Sequence, residues 1–312
     1  MAQSKSSEAR TGWLLISPPA LVTLLLLAAP LATVLVYSVL TGSRGAVSLP
    51  FSAENYYNIF RSSDGNILDL IFSGEWGAIP AALTKAPYLL VAGRALFVAL
   101  LVTLATVVLA YPIAYFVSFH VQPSKKALWL FLITIPFWTS YIIRVALWRT
   151  ILGYDGIVDS SLMGLGLMDG QLNILSYGVT SIIITLAHAY APFAVLPVFV
   201  SLEKVDRSLL EAGQDLGESK FRTFLRVTLP LSMPGVIAAV LIVFIPTVGD
   251  YVTPELIGGG KVPMISNFVE VELLKRRNFA MGSALAASAM IVVAVISLIF
   301  ILMNRRFLGG RK

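Results

Sequence analysis

Six apolar stretches of membrane length constrain this chain more than any other feature. They run over about Trp13–Leu40, Ala95–Phe119, Ala127–Trp148, Val179–Leu202, Leu231–Gly249 and Gly282–Met303. An α-helix rises about 1.5 Å per residue, so about 20 apolar residues cross a hydrocarbon core of about 30 Å. Inside that core each backbone N–H and C=O must find an internal partner, and a helix supplies one for every residue. Charged residues make up only 13% of the 312, against about 25% in a soluble domain, and the mean hydropathy is +0.83. The pattern predicts an all-α polytopic membrane protein with six transmembrane helices. Prolines inside several spans predict kinks rather than breaks.

A net charge of +6 and a pI of about 9.5 can signal nucleic-acid binding. The distribution of charge argues against it. Lys5, Arg10, Lys125, Lys126, Lys204, Arg207, Lys220, Arg222, Arg226, Arg305, Arg306, Arg311 and Lys312 fall on one side of a six-span topology. Glu8, Glu203, Asp206, Glu211, Asp215 and Glu218 share that side, which carries +7 against −1 elsewhere. The positive-inside rule then predicts cytoplasmic N- and C-termini, and no nucleic-acid partner is expected. The first apolar run follows Lys5 and Arg10 as in a signal peptide. Its 28 residues exceed the usual apolar region of about 7–15, so it is read as an uncleaved span. No cysteine occurs, which excludes disulfides, thiolate catalysis and cysteine metal sites.

The expected organisation is a cytoplasmic tail over 1–12, a first transmembrane helix over 13–40 and a long periplasmic connection over 41–93. A transmembrane core over 94–303 and a cytoplasmic tail over 304–312 follow. A structureless connection as long as 41–93 is unusual, so short interfacial helices are expected in it. Residues 150–178, with Asp155, Asp159 and Asp169, and residues 250–281 form the other outer connections. Gly258-Gly259-Gly260 reads as a hinge and Met264–Lys275 as a short amphipathic helix. No internal repeat stands out, which weakens a secondary transporter built on inverted halves.

The inner loop 203–228 places ten charged side chains between two spans. Asp206 suits the N-cap of a helix running to Leu216, with Leu209, Ala212, Gly213 and Leu216 as its apolar face. Gly217 suits the left-handed position that ends a helix. Ser219 starts the next, whose apolar face is Phe221, Phe224 and Leu225. By themselves these residues fit either a hairpin that merely joins two spans or a surface presented to a soluble partner.

Glu211-Ala212-Gly213, three residues, Gly217, nine residues and Val227-Thr228-Leu229-Pro230 resembles the EAA signature of ABC-importer permeases. Gly213 stands where that signature has a second alanine, and Val227 where it has isoleucine. Pro136–Arg144, Leu202–Asp206 and Gly249–Gly259 resemble the spermidine/putrescine-type permeases, and the likeness runs from about residue 94 to the C-terminus. Residues 61–93 are longer than is usual for that family. The resemblance implies a type I ABC-importer permease fold in a bacterial inner membrane, as the first of two permease subunits. It implies a second permease subunit in a heterodimer, two cytoplasmic ATPase subunits, a periplasmic substrate-binding protein and contact with membrane lipid. It further implies that loop 203–228 couples to the ATPase. Glu211 would be the polar anchor, Ala212 and Gly213 the small residues, Leu209 and Leu216 the docking face, and Gly217 the bend. ATP and Mg would bind the partner ATPase. This chain has no G-x-x-x-x-G-K-[ST] loop, so no cofactor is expected on it and it is not read as an enzyme.

Asp250 lies about 20 residues beyond Pro230, about 30 Å from the inner end, whereas Trp138 falls near mid-depth. A carboxylate in a span costs roughly 2.5–3.5 kcal/mol, so one that remains there faces a cavity or a partner. For a polyamine, Asp250 and Glu255 would pair the ammonium ends, and Trp138, Tyr141 and Tyr251 would hold them by cation–π contact. An ion pair of Asp250 with Arg144 or Arg149 is the alternative, as is simple packing of Trp138 and Tyr141, three apart on one helical face. Opine, amino-acid derivative, phosphonate and ferric-type ligands stay open as cargo. A proton-coupled secondary transporter using Asp250 is the distant alternative. His120 and His188 lack metal-ligand spacing, so no metal site is expected, and His188 reads as packed or hydrogen-bonded. Lys275-Arg276-Arg277 reads as a solvated or headgroup-facing cluster. A membrane protease has neither H-E-x-x-H nor a nucleophile pair here.

Overall fold

The protein is described by a computed structural model over residues 2–42, 45–154, 156–168 and 178–308, with side chains from residue 13 onward. Asp155, Asp169, Arg311 and Lys312 lie outside the described residues. Helix α1 (Ala2–Ser38) keeps Pro18, Pro19 and Pro30 within one helix. Its apolar portion packs along the last long helix and otherwise turns outward, with Trp13 75% and Leu24 67% exposed. Such a surface is stable only where hydrocarbon is the solvent.

The connection after α1 is built of short pieces, as expected. Strand β1 (Leu40–Thr41) pairs antiparallel with β2 (Ser48–Phe51), and α2 (Glu54–Ile59) follows. A second small hairpin joins β3 (Arg61–Ser62) to β4 (Gly65–Asn66). Asn66 then caps α3 (Ile67–Ser73), accepting from the Leu68 N–H at 2.9 Å, and Gly74 ends that helix at φ 79°. A turn at Trp76–Ala78 leads to α4 (Ile79–Leu83). Helix α5 (Pro87–Phe119) begins on a proline, where the missing N–H costs nothing. The last residues of the expected 41–93 connection are therefore the first turns of this helix.

Among the described residues, five helical runs are long and apolar enough to cross a membrane: Trp13–Ser38, Pro87–Phe119, Val179–Leu202, Lys220–Val248 and Phe279–Met303. The expected third span, Ala127–Trp148, is not one helix. Helix α6 (Pro123–Thr134) tightens into a 3-10 turn at Ile135–Trp138, and the chain bends by 85° before α7 (Tyr141–Leu152). Pro136 removes a backbone donor there, and Thr139 and Ser140 adopt extended backbone, at ψ 147° and 137°. The prolines at 112, 192, 197, 234 and 246 stay inside helices, so of the prolines within the expected spans Pro136 alone sits at a break. Counting the bent pair as one span gives six.

After α8 (Ile157–Gly164), α9 (Val179–Leu202) packs against α5 and against α12 (Leu229–Val248). These three form the core. Its contacts use small residues, among them buried Ala95, Ala99, Ala110, Ala114, Ala194 and Ala239, which let helix backbones approach closely. At Gly235 α12 comes close against α9. A β-carbon there would strike the Pro197 carbonyl and stand 2.5 Å from Ser201 Cβ. Tyr111 and Ser232 share a buried hydrogen bond of 2.7 Å between α5 and α12. Between α9 and α12 lie α10 (Arg207–Asp215) and α11 (Lys220–Thr223). Beyond α12 come α13 (Val252–Leu256), α14 (Ile265–Glu270), α15 (Phe279–Met303) and α16 (Arg305–Leu308). The amphipathic segment expected at Met264–Lys275 is α14 continued by a π turn at Val271–Lys275.

Candidate functional site

The loop helix is set by local chemistry. The Asp206 carboxylate accepts from the Ser208 N–H at 2.9 Å, which caps α10 and holds that carboxyl below its usual pKa. At the other end Gly217 takes φ 83°, its N–H reaching the Gln214 carbonyl while the Glu218 N–H reaches that of Gly213. That pair of bonds closes a helix with a left-handed residue, and glycine alone adopts it without strain. Ser219 caps α11, which runs through a π turn at Phe224–Thr228 straight into α12. The second arm of the loop is thus mechanically continuous with a spanning helix. Gly213 faces Thr223, where a β-carbon would come within 3.2 Å of the methyl group, so the two arms touch. Leu209 is 47% and Leu216 85% exposed, and Glu211, Ala212 and Gly217 are exposed with them. Apolar side chains displayed on a charged loop form a surface available to a partner.

The root of this loop is tied to its neighbours. Glu203, just past α9, accepts from Lys126 Nζ and from Ser118 Oγ, each at 2.6 Å. Burial pushes its carboxyl up, but these two hydrogen bonds and the charges of Lys126 and Arg207 outweigh that and hold it below the usual value.

At the opposite end of the core a cavity of about 440 Å³ is lined by Phe137, Thr139, Tyr141, Arg144, Ala189, Tyr190, Phe193, Pro246 and Asp250. Asp250 follows the end of α12 and is 8% exposed. Its Oδ1 accepts from the N–H groups of Val252 and Thr253, at 3.0 and 3.4 Å, and so starts α13. Its Oδ2 accepts from the Tyr141 hydroxyl at 2.7 Å, and that oxygen sits 2.7 Å from Thr253 Oγ1. With Tyr141 donating to the carboxylate, Thr253 donates to Tyr141.

The expected alternative of an ion pair between Asp250 and Arg144 or Arg149 is not formed: neither guanidinium lies within 4.0 Å of that carboxylate. Arg144 instead serves the break in the bent span. It donates to the Thr139 carbonyl at 2.9 Å, to Thr139 Oγ1 at 3.4 Å and to the Ala189 carbonyl at 3.4 Å. Backbone carbonyls freed inside a membrane need such a donor.

Of the five residues expected along the substrate path, Tyr141 and Asp250 meet in this cavity. Trp138 does not: the break at Thr139–Ser140 removes the shared helical face, leaving Trp138 71% exposed and edge-on to Phe131. Tyr251 lines a separate apolar cavity of about 430 Å³ between α12, α14 and α15. Glu255 is exposed on α13. Phe137, Tyr190 and Phe193 take the places the sequence had assigned to other rings. Tyr190 and Phe193 lie one helical turn apart on α9, a spacing visible in the chain but mute about direction.

His188 accepts from the Trp148 indole at 3.2 Å, the hydrogen-bonded role expected of it. Among the described residues no cluster of three or more His, Asp or Glu side chains is arranged for a metal. The basic cluster at 275–277 differs from expectation in being partly paired: Lys275 meets Glu270 at 3.3 Å and Arg276 meets buried Glu272 at 2.6 Å.

Residues 95–308 match the family described as "Binding-protein-dependent transport system inner membrane component". The chain is 33% identical over 265 residues to the spermidine/putrescine transport system permease protein PotB of Haemophilus influenzae, covering 85% of this chain and 83% of that one. It is 37% identical to the Escherichia coli PotB over 207 residues, 66% of this chain and 74% of the relative. The Escherichia coli inner membrane ABC transporter permease protein YdcU is 29% identical, over 74% of this chain and 81% of its own. Among solved structures, a chain of the bacterial alginate ABC transporter in complex with an alginate pentasaccharide-bound periplasmic protein superposes with a TM-score of 0.65. Its identity is 16% and coverage is 96% of both chains, so the likeness concerns the fold.

Proposed function

The chain belongs to the binding-protein-dependent transport system inner membrane component family, and on that premise we propose that it forms half of a pathway for a polyamine such as spermidine or putrescine. It is a multi-pass inner-membrane permease subunit. The observation that carries the cargo is the cavity around Asp250. One carboxylate and four rings, Phe137, Tyr141, Tyr190 and Phe193, surround a space of about 440 Å³. An ammonium group there gains an ion pair and cation–π contact together, and a methylene chain tolerates the apolar walls. The names of its relatives point to the same chemistry.

In this reading a binding protein delivers cargo at the Asp250 end, and two ATPase subunits, holding ATP and Mg, close against the 203–228 loops of this chain and a second permease. The exposed Leu209 and Leu216 seat in the ATPase and Glu211 anchors them. The resulting motion exchanges which end of the pathway is open. Arg144 beside Asp250 favours one other cargo, an amino-acid derivative whose carboxylate meets the guanidinium while its ammonium meets Asp250.

Uptake of radiolabelled spermidine and putrescine into cells lacking the gene tests the proposal, with the parent chain or Glu211→Ala restored. Uptake returns with the parent and fails with Glu211→Ala. Polyamine uptake that never depended on the chain removes the cargo assignment, and an excess of zwitterionic amino-acid derivatives that blocks uptake favours the second cargo.

A further inference from the structure

The two functional regions lie at opposite ends of the core, and one bonded path joins them. Lys126 stands at the start of α6, and its side chain, only 13% exposed, donates to Glu203 at 2.6 Å and lies 6.0 Å from the Phe199 ring. Glu203 also takes the Ser118 hydroxyl of α5 at 2.6 Å, and Arg207, the first residue of α10, donates to the Ser118 carbonyl at 3.2 Å. The turn between α5 and α6 is therefore fastened to both sides of the loop's root. Phe116 and Trp129, edge to face at 5.6 Å, lock α6 onto the end of α5. From Lys126 the helical path runs about 18 Å to Trp138. There it breaks into the segment that supplies Phe137, Thr139, Tyr141 and Arg144 to the cavity.

We propose that the Glu203–Lys126 bond is a transmission: it makes α6 follow the loop helix, so that displacement of the loop reshapes the bent segment at the cavity. The inference rests on the importer reading above, and Glu203 is a positioning residue that touches no cargo. Exposed ion pairs contribute about 0–1 kcal/mol and would make poor links. Here the Glu203 side chain is 36% exposed, but the lysine is largely enclosed and the carboxylate is shared with a second helix. A short, charge-assisted bond of that kind holds geometry under load.

The assembled importer in proteoliposomes, with its ATPase, second permease and binding protein, provides the test. Glu203→Gln keeps an acceptor for Ser118 but removes the charge. The expected result is an intact complex that hydrolyses ATP at the parent rate while cargo taken up per ATP falls roughly tenfold, the effect of weakening a hydrogen bond to a charged group. Exchanging the partners, Lys126→Glu with Glu203→Lys, restores most of that ratio. A merely structural bond lowers assembly, hydrolysis and uptake together and leaves the ratio unmoved.

The chain has no cysteine, so spin labels placed before assembly at exposed Gln214 and Leu128 give a cargo-independent readout. Their separation holds through the nucleotide cycle in the parent and varies with nucleotide in Glu203→Gln. An unchanged ratio in Glu203→Gln, or a charge exchange that restores nothing, overturns the proposal. Should Glu203→Gln fail to assemble, Lys126→Gln breaks the same bond from the other side under the same criteria. A parent complex without ATP-driven uptake defeats the importer reading itself. A parent that couples beside an equally coupled Glu203→Gln defeats the transmission alone.

Discussion

Asp250 does two jobs with two oxygens, and exchanging one heavy atom of its side chain separates them. Oδ1 starts α13 by accepting from Val252 and Thr253, while Oδ2 takes the Tyr141 hydroxyl at the cavity. Asparagine retains the first acceptor and loses the charge, whereas alanine loses both. Asp250→Asn should therefore reach the membrane at the parent level and unfold at the parent temperature in detergent. Its uptake of a cationic cargo should fall roughly 10–100-fold, the equivalent of a lost charged hydrogen bond. Asp250→Ala should lose thermal stability as well. Equal uptake by the parent and Asp250→Asn, with equal protein, removes Asp250 from the path. Asp250 was legible in the sequence because it ends a run free of charge from Arg226 onward. Phe137, Tyr190 and Phe193 were not, since a ring in an apolar span contrasts with nothing around it, and its direction depends on how helices pack. Trp138 was assigned wrongly to the face of Tyr141 because helical phase was carried across a break.

Helices whose ends are written in capping residues were read correctly. Asp206, Gly217 and Ser219 delimit α10 and α11 through bonds to their own neighbours, which the chain alone determines. The bent third span was not legible, because Pro136 resembles the prolines at 112, 192, 197, 234 and 246 that helices absorb. What distinguishes it is tertiary: Arg144 stands ready to satisfy the released Thr139 carbonyl while also donating to the Ala189 carbonyl of α9. Packing of α9 on α12 makes a matching prediction. Gly235→Ala puts a β-carbon onto the Pro197 backbone, which cannot swing aside, and should destabilise the protein by about 1–3 kcal/mol. Gly93→Ala, in α5 with nothing within 4 Å of the new carbon, should be neutral or stabilise by up to about 1 kcal/mol. Thermal unfolding of the two variants in the same detergent checks the contrast. A Gly235→Ala protein as stable as its parent means that α9 and α12 pack differently.

At the scale of the whole molecule, charge orients what packing builds. The loop end of the core gathers Lys126, Lys204, Arg207, Lys220, Arg222 and Arg226, whereas on the connection after α1 Glu54, Asp64, Asp69 and Glu75 outnumber Arg61 and Lys85 among the described residues. Membrane insertion retains basic segments on the cytoplasmic side, so this asymmetry predicts that the loop end faces in. The bent span raises the stakes. If α6 and α7 together fail to cross, the loop at 203–228 and the turn at 120–126 would lie on opposite faces, and the Glu203–Lys126 bond could not form. That bond is made in the folded chain, so the pair must return the chain to the side opposite its start. A phosphatase active only outside the cytoplasm, fused after Gly74, should therefore be active. The same enzyme fused after Gln122 or after Lys312 should be silent, and a fluorescent protein fused at those two points should light up. An active phosphatase at residue 312 beside a silent one at 122 would leave the chain with an odd number of crossings between those two points. It would also place the C-terminus on the side opposite to the one its basic residues call for.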